Sequence, residues 1–190
     1  MWHEDFSVEL QSFSRYHIDV EVIYKKFNTR WRFTGFYGDP RETFKHFSWQ
    51  TLKQLGQENS LPWLCARDFN EILLESEKLE GNLKDAKAIK AFKDTLTACN
   101  LIDLGFIGGP FTWWNHRSGD DCILERLDRA VGNPEWLRLF PHIRVFHLAA
   151  SFSDHCGLKI NINNSNNIQK GRRPNHFRFE PLWLRDYALI

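Results

Sequence analysis

The sequence predicts a layered α/β or α+β sandwich built as one domain. Three observations carry that expectation: strand-like segments with a two-residue apolar period open the chain, two amphipathic helical stripes follow, and further short strands fill the second half between Gly, Asn and Pro punctuation. A length of 190 residues suits one core rather than two large ones. The 42% hydrophobic and 26% charged content excludes a disordered chain.

The elements follow in order. Phe6-Ser7-Val8-Glu9-Leu10 and Ile18-Asp19-Val20-Glu21-Val22 alternate apolar and polar side chains, the pattern of two half-buried, antiparallel strands. Residues 30–38 form an aromatic-rich third strand ending in glycine, and Asp39-Pro40 supplies an N-cap and a first-turn proline. A helix is therefore expected over residues 41–57, with Phe44, Phe47, Leu52 and Leu55 on its apolar stripe, Lys45, Gln50, Lys53 and Gln54 on its wet side, and Gly56 as its stop. The apolar run 61–66 turns abruptly polar at Arg67-Asp68-Phe69-Asn70, as in a buried strand that delivers side chains to a sheet edge. Ile89, Phe92, Leu96 and Cys99 mark a second helix that Asn100 closes. Segments 111–114, 122–128, 143–148 and 157–162 read as strands, with a short helix capped by Asn133-Pro134 among them.

Composition narrows the function. Twenty-five basic against 24 acidic side chains leave a formal charge of +1, so no global field holds nucleic acid or membrane, and any nucleic-acid contact is local. Eight tryptophans and sixteen phenylalanines serve a core before they serve as stacking platforms. Cys65, Cys99, Cys122 and Cys156 form no C-x-x-C pair, which excludes a zinc site or redox dithiol of that kind and suits free thiols in a reducing compartment. No apolar run is long enough for a signal peptide or a membrane span, and an intracellular, soluble protein is expected, with no obligate oligomer. Asn163-Asn164-Ser165-Asn166-Asn167 cannot pack a core. The expected division is a domain over 1–162, a polar linker over 163–171 and a basic-aromatic connector over 172–190.

Polar groups stand where strands end: Tyr37, then Asp68 and Asn70, then Asp128, then Ser153-Asp154-His155. Each alone has a bland reading, as a turn or helix cap for an Asp, a structural hydrogen bond for a His, and a core-edge aromatic for Tyr37. Together they form a hydrolytic kit. Phosphodiester hydrolysis needs oxygen ligands for a hard divalent cation, a group that orients or deprotonates water, and donors for the charge that grows on phosphate.

Tyr37-Gly38, Asp68-Phe69-Asn70, Arg126-Leu127-Asp128-Arg129 and Ser153-Asp154-His155-Cys156 occur in the order used by the exonuclease-endonuclease-phosphatase superfamily, which the chain resembles over roughly Ser7 to Ile162. Residues 31–38, Leu61-Pro62-Trp63-Leu64, Pro110-Phe111-Thr112-Trp113 and residues 125–130 resemble more narrowly the endonuclease domain of plant non-LTR (LINE-type) retrotransposons. The resemblance implies a four-layer α/β sandwich of the deoxyribonuclease I-like kind, two β-sheets flanked by helices. It implies a Mg²⁺-dependent (or Mn²⁺-dependent) endonuclease acting on DNA, nuclear if functional, with residues 172–190 leading toward a reverse transcriptase. By the same resemblance Asp68 orients or deprotonates the attacking water and Asn70 helps hold water and phosphate. His155 contacts the scissile phosphate, Asp128 orients that imidazole, Tyr37 donates its hydroxyl to phosphate, and Asp154 stands at the metal side.

Two departures accompany the matches. The family's Glu metal ligand and an Asn sit on opening strands for which this sequence begins too late, and Glu4 and Glu9 lie in no matching context, so a truncated, weak or inactive enzyme is expected. Arg67 stands where the family has glycine; it either crowds Asp68 and competes with Mg²⁺, or points harmlessly to solvent or to DNA phosphate. A non-catalytic nucleic-acid-binding remnant using Trp113, Trp114, Asn115, Arg117 and the Arg172-Arg173 tail, and a small phosphoesterase of the same superfamily, are the alternative functions.

Overall fold

A computed structural model of the chain describes residues 4–58, 60–149 and 153–162. The linker and connector expected over 163–190 lie outside the described residues. In chain order the elements are β1 (Phe6–Phe13), β2 (His17–Tyr24), β3 (Thr29–Tyr37), α1 (Lys45–Glu58), β4 (Trp63–Asp68), β5 (Lys78–Leu79), α2 (Ala86–Ala98), β6 (Ile102–Asp103), β7 (Trp113–Trp114), β8 (Leu124–Glu125), β9 (Asp128–Gly132), α3 (Pro134–Leu139), β10 (Arg144–Leu148) and β11 (Gly157–Asn161).

The main sheet has six strands in the order β1-β2-β3-β4-β9-β6. β1, β2 and β3 meander antiparallel; β4 returns parallel to β3 after α1, and β9 runs antiparallel to β4. β10 pairs with β11, and β5, β8 and β7 form a small third sheet. Multiple sheets flanked by helices are the architecture the sequence predicts.

Strand alternation divides the core into two. Phe36, Trp63, Cys65 and Val131 pack with Trp49, Leu52 and Leu55 of α1 and with Phe92 and Leu96 of α2, in one apolar cluster. Val22, Trp31, Leu64, Ala66 and Ala130 pack with Trp136 of α3, with Phe140 after it, and with Val145 of β10. On the helix side a polar seam crosses β2, β3 and α1. Buried Arg32 donates through Nε to both oxygens of buried Asp19 (2.8 and 2.9 Å) and through Nη1 to the Leu55 carbonyl, while the Trp63 indole donates to Thr34 Oγ1. Every member is satisfied by another, the condition under which buried charge is tolerated.

The two longer helices are present, with instructive shifts. Asp85 caps α2 by accepting from the Lys87 N–H at 2.9 Å, Asn133 caps α3, and Asn100 takes the left-handed conformation (φ 53°) that ends α2. Asp39 does not cap α1. Its carboxylate accepts instead from the Arg41 side chain and backbone, from Arg15 and from the Tyr16 hydroxyl, so the α-helix begins only at Lys45 after a 3₁₀ turn at Glu42–Phe44. The helix is also rolled from the expected stripe: Phe44 and Phe47 are exposed, whereas Lys45, Ser48 and Trp49 are buried. Trp49, the larger ring, takes the central place by stacking on Phe36 and Phe92. Lys45 can follow it inward because its ammonium meets Glu71, wholly buried, at 2.5 Å. Gly56 does not stop the helix, which runs to Glu58; a Cβ there would press on Cys99 Sγ at 3.3 Å, so the glycine serves close packing. The single strand expected over 122–128 divides into β8 and β9, because the Leu127 and Asp128 N–H groups turn to Thr112 Oγ1 (2.9 and 2.8 Å).

Removing one partner of the Lys45–Glu71 pair leaves an uncompensated buried charge, which typically costs about 3–5 kcal/mol. Lys45→Met is expected to lower the urea-unfolding free energy by about that amount, and Lys45→Met/Glu71→Leu to recover most of it. An additive loss in the double variant would show that the pair does not act as a unit.

Candidate active site

β3 and β4 run parallel and end together, so their last residues, Tyr37 and Asp68, are register partners. β9 begins where β4 ends, and the antiparallel register sets Asp128 directly opposite Asp68. Two carboxylates from positions sixty residues apart thus face each other across one ladder. Both are buried, at 7% and 5% exposure.

The loop before β11 brings the imidazole. A bridge between Trp113 and His155, the Trp114 N–H to the Asp154 carbonyl (3.0 Å) and the Cys156 N–H to the Thr112 carbonyl (2.7 Å) clamp residues 154–156 against the strand at 112–114. The His155 Nδ1–H then donates to Asp128 Oδ2 at 2.7 Å. Ligand atoms of Asp68, Asp128 and His155 all lie within 4.8 Å of one another. They line, with Tyr37, Arg67 and Ser153, a cavity of about 810 Å³ that the main sheet and β11 bound with Ile18, Val20, Phe33, Leu158 and Ile160.

The electrostatics follow from this geometry. Burial, and then the neighbouring Asp128 charge, push the Asp68 carboxyl up to about 6, against the hydrogen bonds from Asn70 that favour its ionised form. The hydrogen bond to Asp128 raises the His155 imidazole above its ordinary value and favours the imidazolium, although partial burial opposes it. The site therefore pairs a carboxyl poised near neutrality with an imidazole whose protonated form is favoured.

Asn70 occupies a narrower place than the sequence suggests. Its backbone N–H reaches Asp68 Oδ1 (2.8 Å), and its side-chain amide donates to Asp68 Oδ2 (2.7 Å) and to the Gly38 carbonyl (2.9 Å). Both of those partners accept, which fixes the amide orientation and assigns Asn70 to aiming Asp68. Its φ of 53° is one that asparagine tolerates. Gly38 permits the arrangement: a Cβ there would lie 2.0 Å from the Phe69 carbonyl oxygen. Tyr37 is exposed at the cavity wall, where its hydroxyl can reach a ligand. Asp154 is exposed and lies outside the Asp68–Asp128–His155 trio; its Oδ2 accepts from the Trp113 indole at 3.1 Å, which holds its carboxyl below the usual range.

Several supporting residues escaped the sequence reading. Thr112, wholly buried, takes two backbone N–H groups at the start of β9 and so sets where Asp128 points. Arg126 and Arg129 are not surface cations. Both are buried and share Glu77 and Asp103, with contacts of 2.7–2.9 Å that fix the segment flanking Asp128. A Pro-Phe-Thr-Trp string and a charged Arg-Leu-Asp-Arg string signal these residues only when partners 15 to 52 positions away are known.

A His pKa raised in the fold contributes stability that is fully present below the unfolded value, about 6.5, and is lost as pH rises through the folded value. The full chain is thus expected to lose stability with rising pH above about 6.5 through the His155–Asp128 pair. Asp128→Asn removes that dependence and lowers the His155 pKa, read from its imidazole proton NMR titration. An unchanged titration would show that the Asp128 contact does not govern the imidazole.

A search of protein-family models found no match, and no curated protein matches the chain by sequence. Solved structures do match. The endonuclease domain of TRAS1, a telomere-specific non-LTR retrotransposon, superposes with a TM-score of 0.63 at 18% identity, covering 86% of this chain and 72% of that one. An endonuclease/exonuclease/phosphatase family protein from Leptotrichia buccalis gives a TM-score of 0.50 at 16% identity over 82% of this chain; the chain spans 61% of that protein's length. With a central sheet, flanking helices and a cavity at the strand ends already in place, these superpositions establish the fold as that of the endonuclease/exonuclease/phosphatase, deoxyribonuclease I-like group.

Proposed function

We propose that the chain hydrolyses phosphodiester bonds in DNA, as the endonuclease domain of a non-LTR retroelement acting in the nucleus. The observation that carries this reading is the Asp128–His155 hydrogen bond of 2.7 Å set beside a second buried carboxylate, Asp68, at the mouth of one cavity. The likeness to the TRAS1 endonuclease domain supports it at the level of fold.

Asp68 accepts a hydrogen bond from the attacking water and orients it toward phosphorus. Asn70, by donating to Asp68, holds that carboxylate in place. His155, kept as imidazolium by Asp128, donates from Nε2 to a phosphate oxygen, where negative charge grows in the transition state. Tyr37 adds a hydroxyl donor from the adjoining strand end.

The donor set fits a hard divalent cation in part. Asp68 and Asp128 offer oxygens whose mutual repulsion a cation would relieve, whereas His155 Nδ1 is committed to Asp128. Mg²⁺, or Mn²⁺, characteristically takes one or two carboxylates and fills its remaining positions with water and phosphate. Held by Asp68 and Asp128, it would supply Lewis-acid stabilisation of the phosphate charge. Asp154, at the rim beside His155, is proposed to face the metal side.

Nicking of supercoiled plasmid with Mg²⁺ tests the reading. The full chain is expected to cut weakly, and Asp68→Ala and His155→Ala each to reduce that rate by about 10²-fold or more. Equal cutting by all three proteins would reject it. Mg²⁺ is also expected to raise the melting temperature of the wild-type chain above about pH 6, where Asp68 is ionised, and to leave Asp68→Ala/Asp128→Ala unmoved. A rise of the same size in the double variant would place the ion elsewhere.

A further inference from the structure

β4 obeys a two-residue alternation up to its end: Trp63 and Cys65 face the helices, Leu64 and Ala66 the opposite side. Arg67 should therefore face the helices. Its register partners there are Phe36 and Arg129, both wholly buried, so a second guanidinium would meet a filled core and a like charge. The chain resolves the conflict at the backbone. Arg67 adopts φ 124°, a conformation open to glycine and strained for any side chain that carries a Cβ. The side chain turns out of the core, and Ala66, Arg67 and Asp68, three consecutive residues, all line the same cavity.

The guanidinium so delivered is exposed, and no hydrogen bond or ion pair holds it among the described residues, Asp68 included. Competition between Arg67 and a cation for Asp68 thus has no contact to support it. A cavity of about 810 Å³ is also far larger than one phosphate group, and the wall beyond Arg67 is apolar, with Gly35, Ala66 and Leu158. A strained backbone, an unpartnered planar cation and room beyond the carboxylates call for an anionic ligand that extends past the reacting group.

We propose that Arg67 is a substrate-binding residue, and that it takes a backbone phosphate of the DNA strand next to the phosphate held at His155. The inference rests on the reading of the site as a phosphodiester site and deepens it: the substrate is a polymer with successive phosphates, not a small phosphoester. Arg67 offers two parallel N–H donors to one phosphate. Its strain is retained because the same turn that removes it from the core aims it at the ligand.

The test uses the full chain in EDTA, so that binding is read without turnover, and a short fluorescein-labelled single-stranded DNA followed by anisotropy across a salt series. Arg67→Gly is expected to raise the Kd about tenfold and to flatten the slope of log K against log salt by about 1, while Arg67→Lys retains the slope. Arg67→Gly is also expected to raise the urea midpoint, since it relieves the backbone while removing the contact. An unchanged salt slope in Arg67→Gly would overturn the phosphate contact, and a lowered urea midpoint would overturn the strained, re-aimed conformation. The parent reading fails separately: if Asp68→Ala and His155→Ala nick as the wild type does, catalysis is lost as an explanation whatever Arg67 does. If wild-type chain shows no salt-sensitive binding, the Arg67 proposal falls on its own.

Discussion

The facing of Asp68 and Asp128 across the β4–β9 ladder is the constraint on which the site depends. Like charges set opposite one another in a sheet are unfavourable, and the burial of both makes the repulsion stronger. The surroundings answer it group by group. Asn70 donates twice to Asp68, and His155 brings a positive charge to Asp128. Neither response works at a distance, so the loop after β4 and the loop before β11 must be held in place. The close approach of Gly38 to Phe69 holds the first, and the Cys156 N–H to Thr112 carbonyl and Trp114 N–H to Asp154 carbonyl bonds hold the second.

Beside the Asp68–Asp128–His155 cluster a second electrostatic layer keeps β9 in position. Arg126 and Arg129 alternate around Leu127 and Asp128, and their guanidinium groups share two acidic partners from different segments, Glu77 and Asp103. Glu77 is held low, burial notwithstanding, by its bonds to Arg129 and the Arg126 charge, and Asp103 likewise by the same two arginines. The layer is ionic throughout ordinary pH. The Asp68 carboxyl and the His155 imidazole beside it can therefore titrate while their support does not.

Much of the fold was legible because its signals are local. The alternation in β1, β2 and β3, the Asn133 cap and the left-handed Asn100 each declare themselves within a few residues. The roll of α1 was not, since a lysine at an apparently wet position is buried only by a glutamate twenty-six residues on. The same division runs through the site. Asp68, Asp128 and His155 were named from motif order and do converge, whereas the partnerships of Asn70, Asp154 and Thr112 are set by contacts that no spacing encodes. Arg67 lies between these cases: its departure from glycine was visible in sequence, but the turned-over backbone that answers it was not.

The place of β9 in the main sheet bears on synthesis. It inserts between β4 and β6, both made earlier, so the central sheet stays open until residue 132 has left the ribosome, and the imidazole arrives later still. Such distant pairing is slow to nucleate. A chain emerging from its messenger thus holds Asp68, Asp128 and His155 apart until residue 155 has been made, and the cavity they line closes only then.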